Sequence, residues 1–439
     1  MKVQVGSKSL HEATFLVQSL VADPKADLGM PQEEVEALLA DLKAGRAGCA
    51  EKAVRFVTSL MHRYDISVHG MRTEEAAWEI YKYLWGMDVI EELYHAPEVD
   101  EIRVNDAEHV YFQERGRNRQ TRIKFKDDEH VFKIVRRMLE HDRISLDEGN
   151  PGVESRRLDG SRITALCPPL TDRPCFVVRK HGTFDISDEN YLQSGTMDRY
   201  TMELFKCLVK GRANILISGG TGSGKTTFLR WLVRHLEPRL RIVTLETDRE
   251  LVLQDWYPER DIVALEAHPE LGWDMSKCFT IILRLTPDVI IVGEARGLGE
   301  AGQMIEACRR GHDGSMGTIH VGSPYEAVTT LAQMALEEGR RLPVELLEKQ
   351  VASAFNVVVH MYGNNVTGVK KVEHVVEVSP GDSGPVFRDL CVWQPSEASY
   401  EEGTWVYPQF ISEGLQKKLF KYGVSRKELE RLMGLWELK

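Results

Sequence analysis

One short stretch of the sequence combines glycines, a lysine and threonines at a spacing that binds phosphate. It comprises Gly219, Gly220, Thr221, Gly222, Ser223, Gly224, Lys225, Thr226 and Thr227, and it fits the pattern G-x-x-x-x-G-K-[ST]. In this pattern the backbone N–H groups of the loop surround phosphate oxygens, and the lysine reaches the β- and γ-phosphates of a nucleotide. The hydroxyl of Thr226 can ligate Mg²⁺. The stretch therefore predicts ATP and Mg²⁺ as ligands.

A second candidate group is an acid at the end of an apolar strand. The run Pro287–Arg296 reads PDVIIVGEAR and places Glu294 after four aliphatic residues and Gly293. In many phosphate-loop ATPases such a strand ends in Asp-Glu, but Gly293 occupies the Asp position here. We therefore predict that Glu294 is catalytic, acting on Mg²⁺ through water or on the attacking water itself. Glu246, which follows the apolar run Ile242–Leu245, is the other candidate for a catalytic acid.

Two histidines surround a glycine-rich turn in the run Gly311–His320. No carboxylate or thiol stands near them at metal-ligand spacing, so the pattern disfavours a zinc site. His320 ends a predicted strand, and beside a γ-phosphate it could donate a hydrogen bond and report the state of the nucleotide. A packed structural histidine is the alternative interpretation.

The elements that must position these residues alternate between apolar strands and helical patterns. Strands are predicted at 215–218, 242–245, 289–292 and 318–320, and the residues after the phosphate loop, from Phe228 to Val233, predict an amphipathic helix whose N-terminus faces the anion. Such alternation is typical of an α/β fold with a parallel sheet, and its ligands bind at the carboxyl ends of the strands. We assign residues 197–410 to this α/β domain.

The rest of the chain predicts three other kinds of segment. Residues 1–95 show amphipathic helical stripes, with one helix starting at Pro31 and ending at Gly45. Residues 96–182 alternate with period two and predict a mostly antiparallel α+β domain, with a turn at 116–118 and a returning strand at 122–125. Residues 183–196 are rich in Gly, Asp and Ser and predict a linker, and residues 411–439 predict a helical tail.

Composition excludes several classes of protein. Of 439 residues, 42% are hydrophobic and 28% charged, and the formal net charge is −11. This balance suits a globular protein and argues against a coat for nucleic acid or anionic lipid. Seven scattered cysteines predict reduced thiols in the cytoplasm. Because no run of about 20 apolar residues is present, work at a membrane would require a partner that holds the protein there.

Four motifs in the same order resemble the ATPases of type II and type IV secretion systems. They are the phosphate loop, the run from Leu283 to Gly297, the Gly311–Ser315 turn, and Thr318-Ile319-His320. Upstream, Glu101–Asn105, Leu158–Arg162 and Val178–Lys180 are similar to the N-terminal domain of the CpaF-type branch, which powers tight-adherence (Tad) pili. The similarity extends over roughly residues 80 to 410. The absence of a cysteine tetrad sets the chain apart from the zinc-containing pilus-extension and general-secretion branch.

The resemblance implies an ATP-hydrolysing motor for secretion or pilus assembly. It implies a RecA-like fold for residues 197–410 and a PAS-like fold for residues 96–182. It also implies a hexameric ring at the cytoplasmic face of the inner membrane, peripheral to it and held there by a platform protein. The net charge of −11 predicts no stable bound nucleic acid. By motif match, Arg162 and Arg179 would clamp the phosphates, and a guanidinium there would neutralise developing charge. Two departures from the family pattern are Thr247 at an acidic position and Thr286 at a basic one.

Three alternatives compete with a pilus motor. A conjugation or type IV secretion ATPase shares the same motifs. A RecA-like motor driven by nucleic acid would suit the sheet, but the negative net charge of −11 and the absence of a basic aromatic strip disfavour it. A nucleotide-binding scaffold without turnover is disfavoured because Lys225, Thr226, Glu294 and His320 are all in place.

Overall fold

The computed structural model describes residues 7–180, 185–297 and 299–437. The chain forms two compact units, Met1–Thr183 and Phe184–Lys439. Within the described ranges, no helix combines the length and the apolar character that crossing a membrane would need.

The first unit begins with a group of helices. They are α1 (Leu10–Ala22), α2 (Gln32–Ala44), α3 (Cys49–Arg63), α4 (Thr73–Leu84) and α5 (Glu91–His95). As the sequence predicts, Pro31 is the N-cap of α2 and Gly45 ends it in the left-handed conformation. The apolar stripes face one another, and side chains such as Phe56, Leu60 and Ile80 are buried between the helices. The helical N-terminal region is therefore present as predicted.

An antiparallel sheet with one helix follows in the same unit. Its elements are β1 (Val99–Val104), β2 (Val110–Glu114), β3 (Arg117–Gln120), α6 (Asp128–Leu139), β4 (Gly152–Arg156), β5 (Arg162–Leu166) and β6 (Cys175–Arg179). The strand order is β3-β2-β1-β6-β5-β4, and every pairing is antiparallel. Helix α6 buries Val131, Ile134 and Val135 in the core that it shares with the strands.

The prediction of a returning strand at 122–125 is wrong. The chain turns at Arg115 and Gly116, both with positive φ, and Arg117 pairs directly with Glu114. The returning strand β3 is exposed along its whole length, so it carries no apolar alternation for sequence reasoning to detect. Phe125, which suggested a strand, is instead buried with its ring 6.2 Å from that of Phe176.

The second unit contains the predicted α/β fold. Its helices are α7 (Asp188–Gln193), α8 (Arg199–Lys210), α9 (Lys225–Arg234), α10 (Leu253–Trp256), α11 (Met275–Ile282), α12 (Glu300–Arg309), α13 (Glu326–Glu337), α14 (Val344–Ala354), α15 (Glu413–Lys421) and α16 (Arg426–Glu437). Its strands are β7 (Ile215–Gly219), β8 (Ile242–Glu246), β9 (Ile262–Glu266), β10 (Val289–Ala295), β11 (Met316–Ile319), β12 (Val357–Gly363), β13 (Lys370–Pro380), β14 (Pro385–Pro395) and β15 (Gly403–Val406). They form one sheet in the order β15-β14-β13-β12-β7-β11-β10-β8-β9.

The part of this sheet from β12 to the edge strand β9 is parallel, and its inner strands β7 and β8 are buried on both faces. The strands from β12 to β9 in the sheet order pair in parallel, and β13, β14 and β15 extend the sheet through antiparallel hairpins. Ile215 and Ile217 of β7 belong to one hydrophobic cluster and Leu216 to another. Since successive strand residues point to opposite faces, each face of the sheet carries its own core.

Two segments outside this sheet also pack as parts of the second unit. Residues 183 and 184 of the predicted linker lie outside the described residues, but 188–193 of the same stretch form α7, capped by the Ser187 hydroxyl. Tyr191 is buried with its ring 5.3 Å from that of Trp231. Ser187, one of the polar residues that suggested a linker, thus caps a helix. In the predicted tail, α15 and α16 bury Leu419 and Leu432 in the same core.

Candidate nucleotide-binding site

The glycine-rich loop lies at the carboxyl end of β7, the middle strand of the nine-stranded sheet. β7 ends at Gly219 between β12 and β11, and α9 begins at Lys225. Gly224 is the N-cap of α9 with φ +92°, and no side chain caps this end. The first N–H groups of α9 therefore have no acceptor within the helix and are suited to phosphate oxygens.

The Lys225 side chain folds back onto the loop. It is only 6% exposed, and its Nζ donates to the carbonyl oxygens of Gly219 and Gly220, each at 3.0 Å. The Ser223 hydroxyl donates to the same Gly220 carbonyl at 2.8 Å. The ammonium group of Lys225 is thus held against the loop, close to where the loop would bind a phosphate.

A hairpin far along the chain packs against the loop, and sequence reasoning missed it. A Cβ added to Gly363, at the end of β12, would lie 2.6 Å from the Cα of Ser223. The Asn365 amide lies 2.8 to 2.9 Å from where a Cβ on Gly222 would stand. No local pattern signals this packing, because the hairpin and the loop become neighbours only through the parallel pairing of β12 with β7.

The predicted acids and His320 meet at this same edge of the sheet. Glu246 ends β8, Glu294 lies near the end of β10, and His320 follows β11. Both ring nitrogens of His320 lie near Lys225 Nζ, Nδ1 at 3.2 Å and Nε2 at 3.3 Å, and Nε2 also contacts the Glu294 carboxylate. With its proton on Nε2, the imidazole accepts from Lys225 and donates to Glu294. His320 therefore connects the phosphate loop to the strand-end acid.

Arg296 joins three carboxylates in one cluster. Its Nε donates to Glu294 Oε2 at 2.5 Å, its Nη1 to Asp248 Oδ2 at 2.6 Å, and its Nη2 to Glu250 Oε1 at 3.5 Å. Sequence reasoning assigned no site role to Arg296, Asp248 or Glu250. The available signal was the pair of acids two residues apart after β8, together with an arginine two residues after Glu294.

The electrostatic surroundings of Glu294 favour its charged form. Burial by itself would raise the pKa of this carboxyl group. The hydrogen bond from His320 and the charge and hydrogen bond of Arg296 outweigh burial, and together they lower the pKa of Glu294 to about 2. Glu294 is therefore ionised at neutral pH and suited to accept a hydrogen bond from water.

A bulge in β10 directs Glu294 toward His320. The parallel register runs from Val292 opposite Gly317 directly to Glu294 opposite Thr318, so Gly293 is the extra residue. A Cβ on Gly293 would lie 2.7 Å from Glu246 Cγ. This contact explains why glycine stands where an aspartate is common: Glu246 fills the space that a side chain would need.

Glu246 is the most deeply buried acid of the site. It is 3% exposed, and its Oε1 accepts from the backbone N–H groups of Glu250 and Leu251, each at 3.0 Å. Its Oε2 is buried with no hydrogen-bond partner among the described residues. Burial raises the pKa of Glu246 to about 7, although the two backbone hydrogen bonds act in the opposite direction.

The residues present fit a nucleotide with Mg²⁺. A small cleft is lined by Thr226, Glu246, Thr247, Asp248, Glu250, Leu251, Gly293, Glu294 and Arg296. Among the described residues no three His, Cys, Asp or Glu side chains form a ready metal site. Thr226 and the unpartnered Oε2 of Glu246 supply hard oxygen atoms, and Mg²⁺ in such sites is held by few protein ligands together with phosphates and water.

The two arginines predicted as phosphate clamps belong to the first unit. Arg162 on β5 and Arg179 on β6 pair directly across the antiparallel ladder. Arg162 Nη2 lies 3.9 Å from a Glu154 oxygen, and Arg179 Nε lies 3.9 Å from a Glu101 oxygen. The structure thus brings the two guanidinium groups onto adjacent strands, and their role toward phosphate stays a prediction.

Comparison with known families identifies the chain. The family model described as "Type II/IV secretion system protein" matches residues 85–374, which include the sheet of the first unit and the phosphate loop with its acids. The chain belongs to this type II/IV secretion family. The match contains every residue of the candidate site named above.

Similar proteins of this secretion family are described as conjugal transfer proteins and type IV secretion system proteins. The chain is 32% identical over 197 residues to the conjugal transfer protein TrbB of Rhizobium radiobacter, covering 44% of this chain and 59% of that protein. It is 26% identical over 318 residues to the type IV secretion system protein VirB11 of Brucella suis, covering 64% of this chain and 85% of that protein. The chain spans 59% and 65% of the length of two TrbB relatives that it matches.

Solved structures show a weaker similarity to this member of the secretion family. The crystal structure of the VirB11 ATPase from the Brucella suis type IV secretion system in complex with sulphate is 24% identical. The alignment covers 66% of this chain and 92% of that chain, with a TM-score of 0.36. A TM-score of this size does not establish a shared fold. The fold is therefore defined by the strand order and pairing described above.

Proposed function

We propose that this protein hydrolyses ATP and that it is the motor of a secretion or pilus-assembly system. The observation that carries the proposal is the continuous set of contacts from Lys225 through His320 to Glu294 at the carboxyl edge of the parallel sheet. A phosphate-binding lysine and a strand-end acid joined in this way are suited to nucleotide hydrolysis, and membership of the secretion family supports coupling to export or assembly.

Each side chain of the site has a role that its geometry supports. Lys225, buried against the loop carbonyls, would move onto the β- and γ-phosphates. Glu294, ionised at neutral pH, would orient the attacking water. Thr226 and Glu246 would hold Mg²⁺, which neutralises phosphate charge when it is bound. His320 would transmit the occupancy of the phosphate site to Glu294.

The proposed motor acts as an assembly of several copies of the chain. We propose a homohexameric ring, peripheral to the inner membrane at its cytoplasmic face, held there by a platform protein, with Arg162 and Arg179 as phosphate clamps. The motif resemblance supports a CpaF-type motor for tight-adherence pili. A second candidate is a conjugation or type IV secretion ATPase, which is favoured by the descriptions of the TrbB and VirB11 relatives.

The test is Mg²⁺-dependent ATP hydrolysis by the purified full chain, with particle mass measured by light scattering after size-exclusion chromatography. We expect slow turnover in a particle of about six subunits, with turnover lost in Lys225→Ala. As a matched control, Lys210→Ala removes a lysine that pairs with Glu428 on the surface of the same unit and should leave turnover unchanged. Turnover that survives Lys225→Ala would refute the assignment of the site.

A further inference from the structure

The loop that follows β8, residues 247–252, holds Glu246 in the candidate site. The backbone N–H groups of Glu250 and Leu251 each donate to Glu246 Oε1 at 3.0 Å. Glu250 and Leu251 also line the small cleft in which Mg²⁺ is proposed to bind. The position of Glu246 in the cleft therefore depends on where the backbone of these two residues lies.

The same loop also supports the second acid of the site. Asp248 Oδ2 accepts from Arg296 Nη1 at 2.6 Å, and Arg296 Nε donates to Glu294 Oε2 at 2.5 Å. Glu250 Oε1 lies 3.5 Å from Nη2 of the same guanidinium group. Because Arg296 lies between the loop and Glu294, a displacement of the loop would move a group that keeps Glu294 charged. Both acids thus depend on this one loop.

A buried arginine on α9 binds the same two loop residues that hold Glu246. Arg230 lies five residues after Lys225 on this helix and is 5% exposed. Its Nε donates to the Leu251 carbonyl at 3.0 Å, and its Nη2 donates to the Glu250 carbonyl at 2.5 Å. Glu250 and Leu251 therefore give their N–H groups to the acid and their carbonyl groups to the helix that begins at the glycine-rich loop. None of the roles proposed above involves Arg230.

Two features indicate that Arg230 constrains the loop. Removing a guanidinium group from water is costly unless hydrogen bonds and opposite charge compensate. The two carbonyl groups and the carboxylates of Glu246 and Glu250 supply both here. Val252, directly after the bound residues, has φ +39°, which β-branched residues rarely adopt. Such a conformation persists where surrounding contacts fix the backbone, and the bonds from Arg230 are contacts of this kind.

We infer that Arg230 is a positioning residue, which fixes the loop to α9 so that Glu246 faces the same cleft as Thr226. The inference rests on the proposed hydrolysis of ATP with Mg²⁺. Thr226 lies four residues before Arg230 on α9, and both Thr226 and Glu246 line the cleft. One helix therefore sets the position of the threonine hydroxyl directly and the position of the acid through Arg230.

The experiment compares three variants of the full chain with the wild type. Arg230→Met removes all donors and keeps an apolar stem, whereas Arg230→Lys keeps the charge on a single nitrogen in place of a planar fork. Arg260→Met is the matched control. Arg260 Nη2 donates to the carbonyl groups of Arg234 and Leu236, at 3.0 and 2.9 Å. It therefore also joins the chain after β8 to α9, but at the far end of the helix.

The measurement is binding of Mn²⁺, followed by its electron paramagnetic resonance signal, in the presence of the non-hydrolysable ATP analogue adenylyl imidodiphosphate. Mn²⁺ takes the same oxygen ligands as Mg²⁺. Arg230→Met should weaken Mn²⁺ binding about 10- to 100-fold, the range for groups that orient a metal ligand. Affinity for the analogue without metal should stay unchanged, because it depends on the glycine-rich loop.

The other two variants separate positioning from a general loss of packing. Arg230→Lys should have an affinity for Mn²⁺ between those of the wild type and Arg230→Met, because one nitrogen cannot reproduce the fork that binds both carbonyl groups. Arg260→Met should leave the affinities for Mn²⁺ and for the analogue unchanged. The kcat for ATP hydrolysis should fall in the same order as the affinity for Mn²⁺.

Three outcomes would overturn the inference. They are unchanged Mn²⁺ affinity in Arg230→Met, equal losses in Arg230→Met and Arg260→Met, and absence of Mn²⁺ binding by the wild type. If Arg230→Met does not fold, Arg230→Lys decides alone: weaker Mn²⁺ binding with unchanged affinity for the analogue supports the inference, and unchanged Mn²⁺ binding overturns it. A wild type that binds both ligands without turnover would refute the proposed function, and the binding comparison would still decide the role of Arg230.

Discussion

At the scale of single residues, the site is defined by how its two acids differ. Glu294 is held by His320 and Arg296, which lower its pKa to about 2. Glu246 is buried against Gly293 and the following loop, and burial raises its pKa to about 7. Two carboxyl groups with pKa values displaced in opposite directions are suited to different roles in one reaction, and each role leads to a prediction.

Glu294→Gln should retain ATP binding and lower turnover about 10²- to 10⁴-fold, because the amide keeps the shape of the side chain but lacks the negative charge that orients the attacking water. Binding would be measured by equilibrium titration with ATP and turnover by phosphate release. Glu237→Gln, which removes a surface partner of Arg239, is the control for loss of a carboxylate. Equal turnover in the wild type and Glu294→Gln would exclude Glu294 as the key acid.

Glu246→Gln should change how stability depends on pH. The folded protein keeps Glu246 protonated up to about pH 7, whereas in the unfolded chain it ionises near its ordinary pKa of 4.5. The wild type therefore loses stability relative to Glu246→Gln as the pH rises from about 4.5 to 7, by up to roughly 3 kcal/mol. Unfolding by denaturant across this range measures the difference.

The control for that comparison is Glu189→Gln, at an exposed position of α7. Its change of stability with pH, relative to the wild type, is the baseline for losing one exposed carboxyl group. A difference between the wild type and Glu246→Gln that follows this baseline would mean that Glu246 ionises in the folded protein as it does in the unfolded chain.

At the scale of elements, the strand ends are positioned by close packing as much as by strand pairing. The bulge at Gly293 turns Glu294 toward His320. The Thr318 hydroxyl on β11 donates to the Gly293 carbonyl at 2.8 Å and ties the bulge to the neighbouring strand. Glu246 on β8 occupies the space beside Gly293. The three strand ends therefore depend on the absence of a side chain at position 293.

Gly293→Ala should destabilise the protein by about 1 to 3 kcal/mol, because the added methyl group would overlap Glu246, which two backbone N–H groups hold in place. Gly434→Ala is the opposite control. It lies inside α16 with no atom within 4 Å of an added Cβ, and it should stabilise by about 0.5 to 1 kcal/mol. Denaturant unfolding of both variants measures these effects. If the free energy of unfolding of Gly293→Ala equals that of the wild type, Glu246 moves freely out of the way of the added methyl group.

At the scale of the whole molecule, the nucleotide site and the two candidate clamp arginines belong to different compact units. The proposed motor therefore requires that binding of nucleotide bring Arg162 and Arg179, from the same subunit or from a neighbour in a ring, to the phosphates. Domain closure around a ligand is a common form of such coupling, and it makes the arginines important for turnover rather than for folding of the second unit.

Arg162→Ala and Arg179→Ala should each lower turnover by a factor on the order of 10³, the lower end of the range for an arginine that stabilises phosphoryl transfer. Particle mass by light scattering should stay unchanged. Arg119→Ala on β3, where the side chain is half exposed beside Glu114, controls for loss of a surface arginine. Turnover that is unaffected in both test variants would refute the clamp.

The sequence by itself determined the features that are contiguous in the chain. The glycine spacing, the alternation of strands and helices, and the acids after strands predicted the parallel sheet and the carboxyl edge at which its polar residues meet. Family motifs predicted membership of the secretion family, which the family comparison confirms. These features depend on local propensity and periodicity, and both can be read along the chain.

The tertiary structure decided the contacts between distant parts of the chain. Arg296 and Asp248 are 48 positions apart, and they meet because β8 and β10 are neighbours in the sheet. The hairpin over the glycine-rich loop and the contact of Arg230 with residues 250 and 251 likewise join segments that share no local signal. Which side chains share a buried space depends on strand order and packing, and neither is encoded in the spacing of a motif.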